Sequence, residues 1–150
     1  MDATHEHYMR EALAEGKKAF PACLPNPPVG CVVVLSGEII GRGHTQPPGA
    51  AHAEIVALDA SHGDLQEATL FVTLEPCSFH GRTPACAEAI IARGMRRVVV
   101  GIIDPDPRND GAGLMRLRSA GVEVQFGVLA EEAQTDLGPY LNLPANRLPD

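Results

Sequence analysis

The sequence predicts an α/β fold in which a five-stranded sheet carries helices on its faces. Strand-like and helix-like segments alternate after an initial hairpin, and this alternation indicates an open, largely parallel sheet. Residues 29–35 form a continuous apolar run, which is typical of a strand buried on both faces. The 15 glycines and 13 prolines fall between these segments and mark the turns that separate them.

The first half of the chain predicts two helices and a hairpin. Apolar or small residues recur with a helical period within the first twenty residues, so this segment is an amphipathic helix. Ser36 and Gly37 turn the chain after the strand at 29–35, and the return strand is predicted at 38–41. A second helix is predicted over 52–61, where small apolar residues fall on one face.

The second half continues the alternation of strands and helices. Pro84 suits the first turn of a helix, and Gly94 suits the position just after its end. Gly121 closes a shorter helix in the same way. The predicted strands are 69–74, 97–103 and 122–126, and the predicted helices are 84–93, 114–120 and 130–137.

Composition and charge exclude several classes of function. The chain has 150 residues, so at about 100–200 residues per domain we expect one domain spanning 1–150. A net charge of −7 and the lack of tryptophan argue against a nucleic-acid partner, which needs basic grooves and aromatic platforms. No apolar run approaches the roughly 20 residues that cross a bilayer. The first twenty residues are too charged for a secretory signal, so we expect a cytoplasmic protein without a membrane partner.

Four cysteines in a cytoplasmic chain indicate metal binding or catalysis rather than disulfides. His52 and Glu54 open one predicted helix, and Cys77 and Cys86 flank the start of the next. One imidazole and two thiolates suit Zn²⁺ and leave one tetrahedral position open, which is the catalytic arrangement. Glu54 lies close to the His52 ligand in sequence, so it is the candidate proton acceptor beside that open position.

Structural interpretations of the same residues remain open at this stage. The four cysteines could form a structural Cys₄ site, but they lack the closely spaced cysteine pairs that such sites use. Cys31 lies in an apolar run and is expected to pack in the core, and Cys23 has no evident partner. Glu54 taken alone could be a surface residue that favours the helix dipole.

The spacing of the two cysteines points to a narrower class. His-x-Glu followed by Pro-Cys-x-x-Cys is the signature of the zinc nucleobase deaminases. Here eight residues separate Cys77 from Cys86, and the segment 73–86 resembles the riboflavin-biosynthesis deaminases, whose spacer reads Cys-Ser-x-x-Gly-Arg/Lys-Thr-Pro-x-Cys. The resemblance extends to residues 26–32 and 49–58 and to Asp104, Pro105, Pro107 and Gly111, and it covers about residues 5–130.

This resemblance implies a fold, a cofactor and a reaction. The implied fold is the three-layer α/β/α cytidine deaminase type, with a mixed five-stranded sheet and helices on both faces. His52, Cys77 and Cys86 would bind Zn²⁺, and Glu54 would shuttle protons. The implied substrate is a diaminopyrimidinone carrying a ribosylamino 5′-phosphate. Zinc-bound hydroxide would attack the ring carbon that bears the 2-amino group, and ammonia would leave.

Six residues are candidate substrate contacts. Asn26 resembles the family residue that hydrogen-bonds the pyrimidine. An amide suits that role because it both donates and accepts hydrogen bonds. The alternative interpretation of Asn26 is a turn residue before Pro27. Arg82 and Thr83 lie in the spacer beside the presumed metal, where an arginine could bind phosphate or remain a solvated loop residue. The full candidate set is Asn26, His44, His80, Arg82, Thr83 and Asp104.

The sequence departs from the family in two places. The family usually has Asp-Pro-Asn-Pro and then Val-x-Gly-Arg-Gly, whereas here Asp106 replaces the amide and Ala112 replaces the basic residue. This change weakens the case for a phosphate on that loop. The family also commonly continues into a reductase domain, for which residues 144–150 offer no nicotinamide site. We therefore expect either a deaminase that works with a separate reductase or a related enzyme for another pyrimidine, and the resemblance implies homo-oligomers.

Three functions remain to be compared. The first is deamination of the pyrimidine nucleotide of riboflavin synthesis, and the second is the same chemistry on another base, nucleoside or nucleotide. The third is a zinc-stabilised module without turnover. Glu54 argues against the third, since a structural zinc site has no use for a carboxylate beside an open position.

Overall fold

The protein is described by a computed structural model that covers residues 3–80 and 84–141. The five strands and the five α-helices that the sequence predicts are all present. In chain order the elements are α1 (Ala3–Lys17), β1 (Gly30–Leu35), β2 (Glu38–His44), α2 (Ala53–Ala60), β3 (Thr69–Leu74), α3 (Cys86–Ala92), β4 (Arg97–Ile102), α4 (Ala112–Ser119), β5 (Glu123–Phe126), α5 (Ala130–Leu137) and a 3₁₀ turn, Gly138–Tyr140.

The sheet is mixed, with strand order β2-β1-β3-β4-β5. β1 pairs antiparallel with both β2 and β3, whereas β3–β4 and β4–β5 are parallel. The mixed sheet implied by the resemblance is therefore confirmed. The largely parallel sheet that the alternation indicated holds only from β3 to β5, because the chain returns from the hairpin through α2 to the far side of β1.

The turn of the β1–β2 hairpin is formed by Ser36 and Gly37, as the sequence predicts. Leu35 pairs with Glu38, so the loop contains only Ser36 and Gly37. Their φ angles are 51° and 79°, and both residues therefore lie in the left-handed region. Two left-handed residues suit the right-handed twist of the flanking strands, which explains a tight connection here.

Helices cover both faces of the sheet. α1 packs against β1, β2 and β3 and touches α5, which packs on β4; α2 packs on β1 and β2 and touches α3, which touches α4. The three-layer arrangement is thus confirmed. None of the helices in the described ranges is long and apolar enough to cross a membrane. The largest fully buried side chains of the sheet belong to Val32, Val33, Leu70, Val72, Val98 and Val100.

Two glycines let α2 lie directly on β2. A Cβ atom at Gly43 would collide with the Ala53 carbonyl, and one at Gly41 would collide with the Ala57 carbonyl and the Ser61 hydroxyl. Glycine within a strand often marks such a close approach of another backbone. β2 ends at His44, beyond the predicted end at residue 41. Because Gly43 lies against Ala53, the first turn of α2 packs beside this end of β2.

The segments that contain the candidate functional residues meet at one end of the strands, which is called the site edge of the sheet below. Leu74 pairs with Ile102, so the carboxyl ends of the parallel strands β3 and β4 meet there. Because β1 is antiparallel to its neighbours, its amino end at Gly30 lies opposite His44, at the same edge. Ligands of open α/β sheets bind beyond strand carboxyl ends, so this edge is the expected site.

Candidate metal centre and active site

Three ligand-type side chains from three segments converge at this edge. The structure groups His52, Cys77 and Cys86, whose candidate ligand atoms all lie within 4.8 Å of one another. The His52 Nδ1 atom is 3.3 Å from the Cys86 sulfur and 3.8 Å from the Cys77 sulfur. His52 occupies the N-cap position of α2, and Cys86 is the first residue of α3. These three residues can hold one metal ion.

The N-terminus of α3 binds Cys77 directly. The Cys86 N–H donates to the Cys77 sulfur at 3.2 Å, and the Ala87 N–H donates to the Cys77 carbonyl at 3.0 Å. Hydrogen bonding with the Cys86 side chain, with His52 and with the Cys86 N–H lowers the pKa of the Cys77 thiol to about 5, against the opposing effect of burial. Thiolate is the form that binds metal, so this environment favours the ligand state.

Glu54 lies in the first turn of α2 and faces the interior. Its side chain is buried, with 4% of the residue exposed. Burial raises the pKa of Glu54 to about 7, while the charge of His52 lowers it and that of Cys77 raises it. The surface interpretation of Glu54 is therefore wrong. A carboxyl group with a pKa near neutrality can both accept and return a proton, which suits general acid–base catalysis.

A cleft of about 700 Å³, open to solvent, leads to these residues. It runs from the segment before β1 across the carboxyl ends of β3 and β4 to the 3₁₀ turn. The residues that line it are Asn26, Pro27, Val29, Thr45, His52, Ala53, Glu54, Leu74, Glu75, Cys77, Phe79, Asp104, Asp106, Arg108, Tyr140 and Leu141.

Two of the candidate substrate contacts lie in the cleft. Asn26 is 8% exposed and lines the cleft. Its backbone N–H donates to the Cys23 carbonyl at 2.9 Å, so it also takes part in a turn, and its role as a substrate contact stays a prediction. Asp104 also lines the cleft. Burial raises the pKa of Asp104 to about 6, with smaller contributions from the nearby charges of Asp106 and Glu75.

The other four candidates lie elsewhere or outside the described residues. His44 does not line the cleft; its Nδ1 atom lies 2.8 Å from the Glu15 carboxylate on α1. His80 is exposed and does not line the cleft either. Arg82 and Thr83 fall outside the described ranges, so their candidate roles stay predictions.

Sequence reasoning missed a second cluster in the cleft wall. The Arg108 guanidinium lies 4.3 Å from the centroid of the Phe79 ring, and its Nη2 donates to the Asp106 carboxylate at 2.7 Å. The Arg108 backbone N–H also donates to Asp106 at 2.9 Å. The residue that departs from the family pattern, Asp106, thus holds an arginine beside the cleft. The sequence did place Asp106 and Arg108 two positions apart, which could have indicated their ion pair. The contact of Arg108 with Phe79 depends on the fold and has no such local signal.

The donor set fits zinc and separates the four cysteines into two pairs. One imidazole and two thiolates are typical zinc ligands, and three protein ligands match a catalytic site. Among the described residues the candidate metal group contains Cys77 and Cys86 but neither Cys23 nor Cys31. Cys31 lies on the interior strand β1, between β2 and β3, and is fully buried, as predicted for a core residue.

Comparison with known families identifies the class. The model of the cytidine and deoxycytidylate deaminase zinc-binding region matches residues 2–102. The chain therefore belongs to this deaminase family, which is described by its zinc-binding region.

Within the class the similarity is to riboflavin-biosynthesis proteins. The chain is 47% identical over 129 residues to the riboflavin biosynthesis protein RibD of Escherichia coli (strain K12), covering 86% of this chain and 35% of the relative. The structure of Acinetobacter baumannii RibD, form 2, superimposes with a TM-score of 0.89 and 38% identity over 92% of this chain and 39% of that one.

A third relative is named for two activities. A diaminohydroxyphosphoribosylaminopyrimidine deaminase/5-amino-6-(5-phosphoribosylamino)uracil reductase from Thermotoga maritima matches with a TM-score of 0.86 and 42% identity over 91% of this chain and 40% of that one. The resemblance drawn from the cysteine spacer is therefore confirmed. The chain spans well under half the length of the relatives it matches.

Proposed function

We propose that the protein deaminates the diaminopyrimidinone ribosylamino 5′-phosphate of riboflavin biosynthesis, replacing the ring 2-amino group by a carbonyl and releasing ammonia. The observation that carries this proposal is the convergence of His52, Cys77 and Cys86 with a buried Glu54 at one end of an open cleft. The deaminase named in the Thermotoga maritima relative, which shares this fold, supports the choice of substrate.

Each residue has a role that its surroundings support. We assign His52, Cys77 and Cys86 as the zinc ligands, since their donor atoms are close enough to share one ion. A bound zinc ion supplies a Lewis acid that lowers the pKa of a water molecule. Glu54, with a pKa of about 7, accepts a proton from the attacking water and passes protons to the ring nitrogen and the departing amine.

The cleft offers contacts for the rest of the substrate. We assign Asn26 to the pyrimidine, because its amide can donate to a ring carbonyl and accept from a ring N–H. Asp104 is assigned to a ribose hydroxyl, for which its carboxylate is an acceptor. The product would then be the substrate of a reductase of the kind named in the Thermotoga maritima relative.

A second candidate is deamination of an unphosphorylated pyrimidine by the same residues. The observation that favours it is the acidic loop at Asp104 and Asp106, where the Arg108 charge is already paired with Asp106. A doubly charged phosphate gains less from a paired guanidinium than from an uncompensated one.

The test is an ammonia-release assay of the zinc-loaded protein. The substrates are the phosphorylated riboflavin intermediate, its dephosphorylated form, cytidine, cytosine and guanine. We expect the highest kcat/KM for the phosphorylated intermediate. A higher value for its dephosphorylated form would favour the second candidate, and a higher value for cytidine, cytosine or guanine would overturn the proposal.

A further inference from the structure

Glu75, which the proposed reaction does not use, joins two walls of the cleft. It is 3% exposed and follows β3 directly, two positions before the Cys77 ligand. Its Oε1 atom accepts the backbone N–H of Asp104 at 3.1 Å and that of Gly111 at 2.9 Å. One carboxylate oxygen therefore closes both ends of the segment 104–111, which carries Asp104 and Asp106.

The other oxygen of Glu75 binds helix α4. Oε2 accepts the Leu114 N–H at 3.0 Å, in the first turn of the helix. The residue that precedes α4 is Gly111, which has no side chain to cap it. A carboxylate at a helix N-terminus satisfies an unpaired N–H and opposes the positive end of the helix dipole. Glu75, which directly follows β3, thus caps a helix that begins more than 30 residues later in the chain.

Asn109 makes a second connection between the same two segments. Its Nδ2 donates to the Pro76 carbonyl at 3.2 Å and faces the Asp104 carboxylate at 3.5 Å. Its Oδ1 accepts from the Ser78 hydroxyl at 3.0 Å. Pro76 and Ser78 flank Cys77 on either side, so Asn109 holds the ligand segment while it faces Asp104.

We propose that Glu75 is a positioning residue, which together with Asn109 fixes Asp104 relative to Cys77 and so places the sugar-binding wall at a set distance from the metal ligands. The inference rests on the proposed function and specifies which part of the substrate depends on Glu75. A substrate that carries a ribosyl phosphate contacts both the wall with Asp104 and the wall with the metal ligands, so it depends on the distance between them. A sugar-free pyrimidine contacts only the end of the cleft that holds Glu54.

The test compares these two substrates in Glu75→Gln, which keeps the size of the side chain but offers an N–H₂ group to backbone donors. We expect KM for the ribosylated phosphate to rise about tenfold with kcat little changed, the loss that one weakened hydrogen bond brings. The kcat/KM for the sugar-free triaminopyrimidinone should stay within about twofold, since only uniform damage would lower both. The matched control is Glu67→Gln, which changes an exposed glutamate before the opposite end of β3.

A second measurement keeps the inference separate from the proposed function. Hydrogen exchange at the amides of Asp104, Gly111 and Leu114 should be about tenfold faster in Glu75→Gln than in the control, whatever the substrate is. If Glu75→Gln does not fold, Asn109→Ser should show the same sugar-dependent loss. Equal losses on both substrates, or unchanged exchange at these amides, would overturn the inference. Wild-type protein that is inactive on both pyrimidines would instead overturn the proposed function, and the exchange data would still decide the role of Glu75.

Discussion

The Nδ1 atom of His52 and the sulfur of Cys86 lie 3.3 Å apart, although the two residues are 34 positions apart in the chain. Both stand at helix N-termini, His52 at the N-cap position of α2 and Cys86 as the first residue of α3. The fold therefore brings two helix starts to one point at the sheet edge. Helix N-termini favour negative charge, and the Cys86 N–H donates to the Cys77 sulfur, so this geometry supports a thiolate at Cys77. The hydrogen bond with Cys77 and burial raise the pKa of Cys86, and burial raises the pKa of Glu54.

Replacement of Cys86 by serine should abolish stable zinc binding. A hydroxyl is a far weaker zinc ligand than a thiolate, and two remaining protein ligands do not make a zinc site. Metal analysis after dialysis against a chelator should find zinc in the wild type and almost none in Cys86→Ser. Cys23→Ser is the matched control and should keep its zinc, because Cys23 lies outside the ligand group. Full zinc content in Cys86→Ser would remove Cys86 from the ligand set.

Replacement of Glu54 by glutamine should separate zinc binding from turnover. The amide is nearly isosteric but cannot accept the proton, so kcat should fall by at least about 10²-fold, the usual contribution of a positioned acid–base group. Zinc content should be unchanged, because Glu54 is outside the ligand set. An ammonia-release assay and metal analysis of the same preparation measure kcat and zinc content together. The exposed Glu38→Gln serves as control, and wild-type turnover in Glu54→Gln would contradict the proton-transfer role.

The residues of the candidate metal centre are each marked locally in the sequence. His52 and Glu54 share one helix start, and Cys77 follows a proline between a strand and a helix. The position of Cys86 came from the spacer, which is again a local pattern. These features survive any arrangement of the sheet, so the sequence was enough to find them.

The second wall of the cleft could not be predicted in the same way. Contacts such as Glu75 with Gly111, or Arg108 with Phe79, join segments about 30 residues apart and exist only because β4 lies beside β3. His44 shows the converse: the resemblance made it a candidate substrate contact, but it is the last residue of β2 and its Nδ1 atom lies 2.8 Å from the Glu15 carboxylate on α1. A sequence reveals which residues follow a strand, whereas the face to which each side chain points depends on strand order and register.

Replacement of Gly43 by alanine should destabilise the packing of α2 on β2. The added Cβ would collide with the Ala53 carbonyl, which belongs to backbone and cannot rotate away. Overpacking of this kind costs about 1–3 kcal/mol in the free energy of unfolding. Urea unfolding would measure the change, with Gly138→Ala as control, because its Cβ meets only the flexible Gln134 side chain. An equal stability for the two variants would contradict the close approach.

The ionisation of Asp104 should make stability fall as pH rises from about 4 to 6. The pKa of Asp104 is raised from 3.8 to about 6, chiefly by burial, so the folded protein holds this proton more tightly than the unfolded chain. Where the folded state binds more protons, the free energy of unfolding decreases with pH. The stabilisation is complete below pH 3.8 and is lost as the pH rises through about 6, at up to about 1.4 kcal/mol per pH unit. Asp104→Asn removes the titrating group, so urea unfolding at several pH values should show a shallower decline in the variant. Parallel curves for the variant and the wild type would show that Asp104 does not titrate in this range.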